Sequence, residues 1–248
     1  MANKEDLLRE KRRYNLEEVI SNEELTKIQI GMPIQKIMGY VDFFDTKIKI
    51  DKNVLIPRYE TEEMVHLFYL REREKIYERS AHILDLCAGS GCIGLSLKNN
   101  FNRSVKVCLA DNSKEAIEQI KINAQENNLD VEIIESNMFD NIKQKFDYII
   151  SNPPYISKKE QLPSSVLDFE PYEALFAEND GFFFYEEIIK NLDKFLNKDG
   201  KLYLEISDHI YNIFQNKKYK EFDIEFFKDM NEHWRFAIVE FKRKGFWK

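Results

Sequence analysis

The chain is poor in the residues that build metal sites and disulfide frameworks. Among 248 residues it holds 3 cysteines and 4 histidines. Cys87, Cys92 and Cys108 are an odd set without paired ligand spacing, and His66, His82, His209 and His233 are scattered. No zinc site is expected, and a reduced, cytoplasmic setting is. Long apolar runs are missing as well: nothing approaches the ~20 residues that cross a bilayer, and Phe182-Phe183-Phe184 is far too short. Met1 to Arg13 is charged and has no apolar core, so no secretory signal is expected. An excess of positive charge is also lacking. With 37 basic and 44 acidic residues the net charge is −7, which speaks against stable, sequence-independent binding of nucleic acid.

What is present is bulk. The 19 Phe and 12 Tyr imply a heavy interior, and the length suits one α/β domain with a small appendage. No internal repeat is visible. Residues 1–39 read as a short helical region, because Leu16, Val19, Ile20, Leu25 and Ile28 recur at helical spacing before Gly31 and Pro33. Residues 40–58 read as a β-hairpin linker with Asp45-Thr46 near its turn, and 59–248 as the main domain. There, Glu60 to Glu78 is a helix with Met64, Val65, Leu67 and Phe68 inward and Arg71 to Lys75 as its solvated face. Strands are expected over 82–86, 105–110, 131–135, 146–150 and 201–206, the last introduced by the turn Lys198-Asp199-Gly200. Ser113 caps a helix carrying Ala116, Ile117, Ile120 and Ala124 on one stripe, and another helix runs from Gly181 to Leu196. Residues 222–228 and 234–241 form an antiparallel pair at the sheet edge.

Two motifs carry chemistry. After the strand ending Leu84-Asp85-Leu86 comes the small-residue turn Cys87-Ala88-Gly89-Ser90-Gly91. Its glycines can take positive φ and let a ligand come close to the backbone. Asp111 ends the next strand at about the ~20-residue distance expected between such a turn and a ribose-binding carboxylate; its competing role is a helix cap. Asp85 is expected to bond the amides of the turn, with a ligand ammonium as the alternative partner. The second motif is Asn152-Pro153-Pro154-Tyr155, directly after Tyr148-Ile149-Ile150-Ser151. Two prolines end the strand and stiffen the corner. The Asn152 side-chain oxygen and the Pro153 carbonyl then become two fixed acceptors for a planar NH2 group, with Tyr155 as an aromatic wall. A nucleoside cradle followed by an NH2 slot selects S-adenosylmethionine over a dinucleotide.

On these residues the chain resembles the protein-(glutamine-N5) methyltransferases that modify peptide-chain release factors, the HemK/PrmC type. The likeness runs from about Gly31 to the C-terminus. It rests on 33–39 (Pro-Ile-Gln-Lys-Ile-Met-Gly), Ile56-Pro57-Arg58-Tyr59-Glu60-Thr61-Glu62, the turn at 87–91, Asn152 to Tyr155, Phe169-Glu170-Pro171 with Ala174-Leu175, and Asp180-Gly181. The resemblance implies the seven-stranded, Rossmann-like class I S-adenosylmethionine-dependent methyltransferase sheet. It also implies methylation of the glutamine amide nitrogen in the Gly-Gly-Gln loop of a release factor, by a monomer. Cofactor contacts then fall to Cys87, Ala88, Gly89, Ser90, Gly91, Asp111, Met138 and Asn152, and catalysis to Asn152, Pro153, Pro154 and Tyr155. Arg58, Glu60 and Glu62 become a lid, or else a plain helix start with acids in its first turn; Glu170 and Pro171 line the substrate mouth.

The chain departs from the family pattern at several points. Tyr59 stands for a proline, Cys87-Ala88 for Gly-Thr, Asn137 for an acidic residue and Met138 for an aromatic cover on adenine, and the N-terminal helical region is short. Two rivals stay open: an amino-directed DNA or RNA (adenine or guanine) N-methyltransferase acting on a flipped base, and a binding module with a vestigial cofactor site.

Overall fold

Three short helices open the chain: α1 (Lys4–Arg13), α2 (Asn22–Gln29) and α3 (Ile34–Met38). The computed structural model describes residues 3–242. Asn3 and Ser21 cap α1 and α2 in the same way: each side chain accepts the N–H of the third helical residue, whose carboxylate accepts the cap N–H in return. Gly39, at φ 79°, stops α3. The hairpin β1 (Tyr40–Phe43) and β2 (Thr46–Lys49) follows. Its turn is Phe44-Asp45, with φ 42° and 60°; both central residues are left-handed, as a two-residue hairpin of native twist requires. The turn thus falls one residue earlier than the sequence suggests.

The remaining elements alternate. They are α4 (Tyr59–Arg79), β3 (Ala81–Leu86), α5 (Cys92–Phe101), β4 (Val105–Asp111), α6 (Lys114–Glu126), β5 (Glu132–Glu135) and β6 (Phe146–Ser151). Then come β7 (Ile156–Ser157), α7 (Ser164–Leu167), α8 (Tyr172–Leu175), β8 (Phe176–Ala177), α9 (Phe183–Phe195), β9 (Leu196–Glu205), α10 (Asp208–Asn216), β10 (Phe222–Lys228) and β11 (Trp234–Phe241). Seven strands form one sheet in the order β10-β11-β9-β6-β3-β4-β5. Pairing is parallel from β9 to β5, and β11 runs antiparallel to both its neighbours. The seven-stranded sheet expected from the sequence therefore forms. Alternate strand residues face two cores. Ile83 and Ile150 pack with Met64, Phe68, Leu95 and Ile117 from α4, α5 and α6. Leu84 and Ile149 pack with Tyr185, Ile188, Ile210 and Phe214 from α9 and α10.

Polar residues on α6 do what the apolar stripe cannot. Glu115, Gln119 and Asn123 stand at four-residue intervals and accept the backbone N–H groups of Asn53, Lys52 and Lys49 at 2.7–2.8 Å. The hairpin and the loop after it are held to α6 by this row. Leu16, Val19 and Ile20, expected on a helix, lie in the loop between α1 and α2, and the short elements from β7 to β8 have no counterpart in the sequence pattern; two further stretches also differ from expectation. Helix α10, capped by Ser207, occupies a run for which the sequence pattern predicts no element. Strand β9 begins at Leu196: Phe146 pairs Leu196 and Tyr148 pairs Lys201, so residues 197–200 bulge within the strand rather than introduce it.

A further difference concerns α4. The charges from Arg71 to Lys75 predict a solvated face, yet Glu72 is only 2% exposed, because the stripe Met64, Phe68, Glu72, Ile76 faces the sheet. Its carboxylate accepts Tyr148 at 2.8 Å, and Tyr203 and Lys201 at 2.7 Å each. Burial pushes this carboxyl up, but the Lys201, Tyr203 and Tyr148 donors outweigh burial and leave it below the ordinary value. Its contribution to stability is therefore present above the unfolded carboxyl pKa and is lost as pH falls through the lowered folded value. Glu72→Ala should lower the unfolding free energy by about 3 kcal/mol at pH 7, since two buried phenols and the half-buried Lys201 ammonium lose their acceptor. Urea titrations at pH 7 and pH 4 check this; the deficit should be smaller at pH 4.

Candidate active site

Strands β3 and β6 end side by side, with Leu86 paired to Ser151 and the Ser151 hydroxyl donating to the Leu86 carbonyl at 2.6 Å. The glycine turn and the diproline corner consequently leave the sheet next to one another. They do so where strand order reverses, between β3 and β6, the place at which open α/β sheets bind ligands. A cavity of about 400 Å³ opens there. Of the residues proposed from sequence, Cys87, Ala88, Gly89, Ser90, Asp111, Met138, Asn152 and Pro154 line it, while Gly91, Pro153 and Tyr155 do not.

The turn is built for close approach. At Gly89 (φ 55°) an added Cβ would meet nothing within 4 Å, so the cavity reaches the bare backbone, as a nucleoside cofactor needs. Gly91 (φ 81°) serves packing instead. A Cβ there would press on Leu95, Ile120 and Leu109 at 3.0–3.2 Å, so the bare position lets α5 settle against its neighbours. Asp111 closes the cradle. One carboxylate oxygen accepts the Gly89 N–H at 2.8 Å and the other the Ser113 N–H at 2.9 Å. Ser113, not Asp111, caps α6. Burial raises the Asp111 carboxyl against the pull of those N–H groups. Beneath, Asp85 accepts the Gly94 N–H at 2.8 Å rather than an amide of the turn. Its other oxygen has no hydrogen-bond partner among the described residues, and burial pushes the carboxyl up to about 7.

A family model described as "Methyltransferase small domain" matches residues 68–169. A release factor glutamine methyltransferase of Lactococcus lactis subsp. lactis is 44% identical over 192 residues, which is 75% of this chain and 69% of that protein. Its counterpart in Streptococcus pneumoniae is 40% identical over 176 residues, 70% of this chain and 61% of that protein. The chain belongs to the release factor glutamine methyltransferase family. It spans about two thirds of the length of these curated relatives. Among solved structures, a methyltransferase from Pyrococcus furiosus matches with a TM-score of 0.61 at 18% identity, over 90% of this chain and 99% of that one. That likeness shows the class I methyltransferase fold.

Departures from the family pattern now have a place. Cys87 and Met138 both hold left-handed φ, 61° and 49°, and their sulfurs lie 3.9 Å apart on the cavity wall. Burial pushes the Cys87 thiol far up, so it stays protonated. Among the described residues no cluster of three or more potential metal ligands occurs, and no helix is long and apolar enough to cross a membrane.

Around the corner the structure adds contacts that sequence reasoning misses. Asn152 donates through Nδ2 to Thr61 Oγ1 at 3.0 Å, and Thr61 donates to Glu205 at 2.6 Å. Glu205 is 1% exposed. Its signal is an acid inside the apolar run Leu202-Tyr203-Leu204-Glu205-Ile206, where charges are rare. Tyr155 packs against the core on the α9 and α10 side of the sheet, as the cavity-lining Cys87 and Met138 do, and its hydroxyl lies 3.4 Å from Glu205. Of the three lid residues, Arg58 lines the cavity and is clamped to Glu170 at 2.5 Å. Glu170 itself is buried beneath the rim and accepts the Ile56 N–H at 3.0 Å, while Pro171 lines the cavity. Glu62 faces the hairpin instead, accepting the Phe44 N–H at 2.9 Å.

Gly181, at φ 86°, backs the corner: a Cβ there would lie 2.2 Å from the Tyr155 carbonyl oxygen. Gly181→Ala must therefore displace the chain just after the prolines. Its expected cost is about 1–3 kcal/mol of stability, with a fall in turnover larger than any loss of cofactor affinity. Denaturant melts and calorimetry on the same preparation check both parts.

Proposed function

We propose that this protein methylates the side-chain amide nitrogen of the glutamine in the Gly-Gly-Gln loop of a peptide-chain release factor, with S-adenosylmethionine as donor. One observation carries the reading: Asn152 and the glycine turn share one cavity, so an NH2 group held at the diproline corner would face a nucleoside-bound sulfonium. The residues suit that cofactor. Backbone groups of Cys87 to Ser90 would hold its amino-acid end, Asp111 the ribose hydroxyls, and Met138 with Asn137 the adenine.

When bound, S-adenosylmethionine supplies a methyl group already activated as a sulfonium. The difficulty lies in the acceptor, because an amide nitrogen shares its lone pair with the carbonyl. The Asn152 side-chain oxygen and the Pro153 carbonyl would each accept one amide hydrogen. Together they return electron density to the nitrogen and aim it along the line of displacement. Such positioning supplies on the order of 7–11 kcal/mol in favourable systems. The nitrogen becomes strongly acidic on methylation and loses its extra proton to solvent, so no dedicated base is required. The acidic balance of the chain suits a protein substrate better than nucleic acid.

The test is incubation with labelled S-adenosylmethionine and a release factor, with DNA and RNA in parallel, followed by mass spectrometry of the glutamine peptide. Label on the glutamine is expected; label in nucleic acid alone contradicts the reading. Asn152→Ala should lower turnover by about 10³-fold while calorimetry finds cofactor affinity nearly unchanged.

A further inference from the structure

Strand β9 ends in a buried acid whose contacts lead to the active site. Glu205 is 1% exposed, and a carboxylate so placed needs donors. Thr61, in the first turn of α4, gives its hydroxyl proton to Oε2 at 2.6 Å, and the Tyr155 hydroxyl lies 3.4 Å from Oε1. The backbone at this point is fixed separately, since the Tyr185 hydroxyl donates to the Glu205 carbonyl at 2.7 Å. Asn152 completes the chain, with Nδ2 3.0 Å from Thr61 Oγ1.

Proton counting sets the direction of every bond. A hydroxyl has one proton, and Glu205, whose carboxyl burial raises to about 7, has none to give once it is ionised above that pH. The Thr61 proton therefore points at Glu205, and only a lone pair of Thr61 faces Asn152. The NH2 end of Asn152 satisfies that lone pair, which leaves the carbonyl oxygen of Asn152 on the opposite side of its amide. Reversing the amide would set two acceptors 3.0 Å apart, a repulsive contact in place of a hydrogen bond.

We propose that Thr61 and Glu205 are positioning residues for methyl transfer, holding the Asn152 amide so that its oxygen, not its NH2, meets the acceptor nitrogen. The proposal rests on the function given above, because an NH2 substrate needs an oxygen opposite it. A tilted or reversed Asn152 would repel the substrate amide while leaving the cofactor cradle intact. Glu205→Gln preserves shape but can face Thr61 with either its oxygen or its NH2 group, so the Thr61 proton is no longer obliged to point at residue 205 and the enforced direction is lost.

Release-factor methylation and cofactor affinity are measured for the wild type, Thr61→Ser, Thr61→Val and Glu205→Gln. Thr61→Val and Glu205→Gln should lower kcat roughly 10- to 100-fold, with cofactor Kd moving less than about threefold and the loss appearing in kcat rather than KM. Thr61→Ser, which restores the hydroxyl, should recover most of the wild-type rate. In the free protein, the Asn152 side-chain NH2 resonance is identified by its loss in Asn152→Ala. Its solvent exchange should be slow in the wild type and Thr61→Ser and about tenfold faster in Thr61→Val. Wild-type kcat in Thr61→Val, or an Asn152 exchange rate that Thr61→Val leaves unchanged, overturns the proposal. If Thr61→Val does not fold, Glu205→Gln carries the same comparison. A wild type that leaves release factor unmethylated refutes the proposed function, whereas amide exchange still decides whether Thr61 holds Asn152.

Discussion

The pairing of β3 with β6 is the constraint on which the site depends. Parallel register sets Leu86 against Ser151, and the next residue of each strand begins a turn that cannot extend the ladder. On one side the chain enters a left-handed, glycine-bearing turn; on the other it meets two prolines. A shift of either strand by one residue would reverse its inward and outward faces and would part Asn152 from the cradle. Both cores act against such a slip, since Ile83 and Ile150 are buried on one face and Leu84 and Ile149 on the other.

Acids recur along this edge, three of them buried and Asp111 on the cavity wall, each tied to a different part of the site. Asp111 draws in the Gly89 amide, Asp85 the start of α5, Glu170 the segment bearing Arg58, and Glu205 the Thr61 hydroxyl. Burial disfavours their charged form and raises Asp85 and Glu205 to about 7, so both are fully ionised acceptors only above neutral pH. Carboxylates are suited to this because they accept only, and so impose a direction on whatever bonds to them. The result is a pocket whose polar walls are fixed before any ligand enters, a common requirement where catalysis is chiefly alignment.

The parts legible in the sequence are those fixed by local backbone chemistry or by periodicity. Prolines at 153 and 154 stiffen the chain and glycines at 89 and 91 open left-handed turns to it wherever they stand, and the stripe Ala116, Ile117, Ile120, Ala124 announces a helix without reference to any partner. The parts that stay hidden depend on partners distant in the chain. Thr61 meets Glu205 across 144 residues and Glu72 meets Tyr203 across 131, and no spacing rule links such pairs. Glu72 looks solvated because its neighbours Arg71 and Arg73 are charged, although helical spacing from Phe68 points it inward. Tyr155 reads as a wall from its place in the motif, but the motif does not disclose that its hydroxyl approaches Glu205, 50 residues away.

The most direct test of this account is a crystal structure with bound S-adenosylhomocysteine. The nucleoside should lie along the turn at Cys87 to Ser90 with its ribose hydroxyls on Asp111, and the sulfur should face Asn152 across open space large enough for a glutamine side chain. A ligand seated elsewhere, or a sulfur pointing away from the diproline corner, would contradict it.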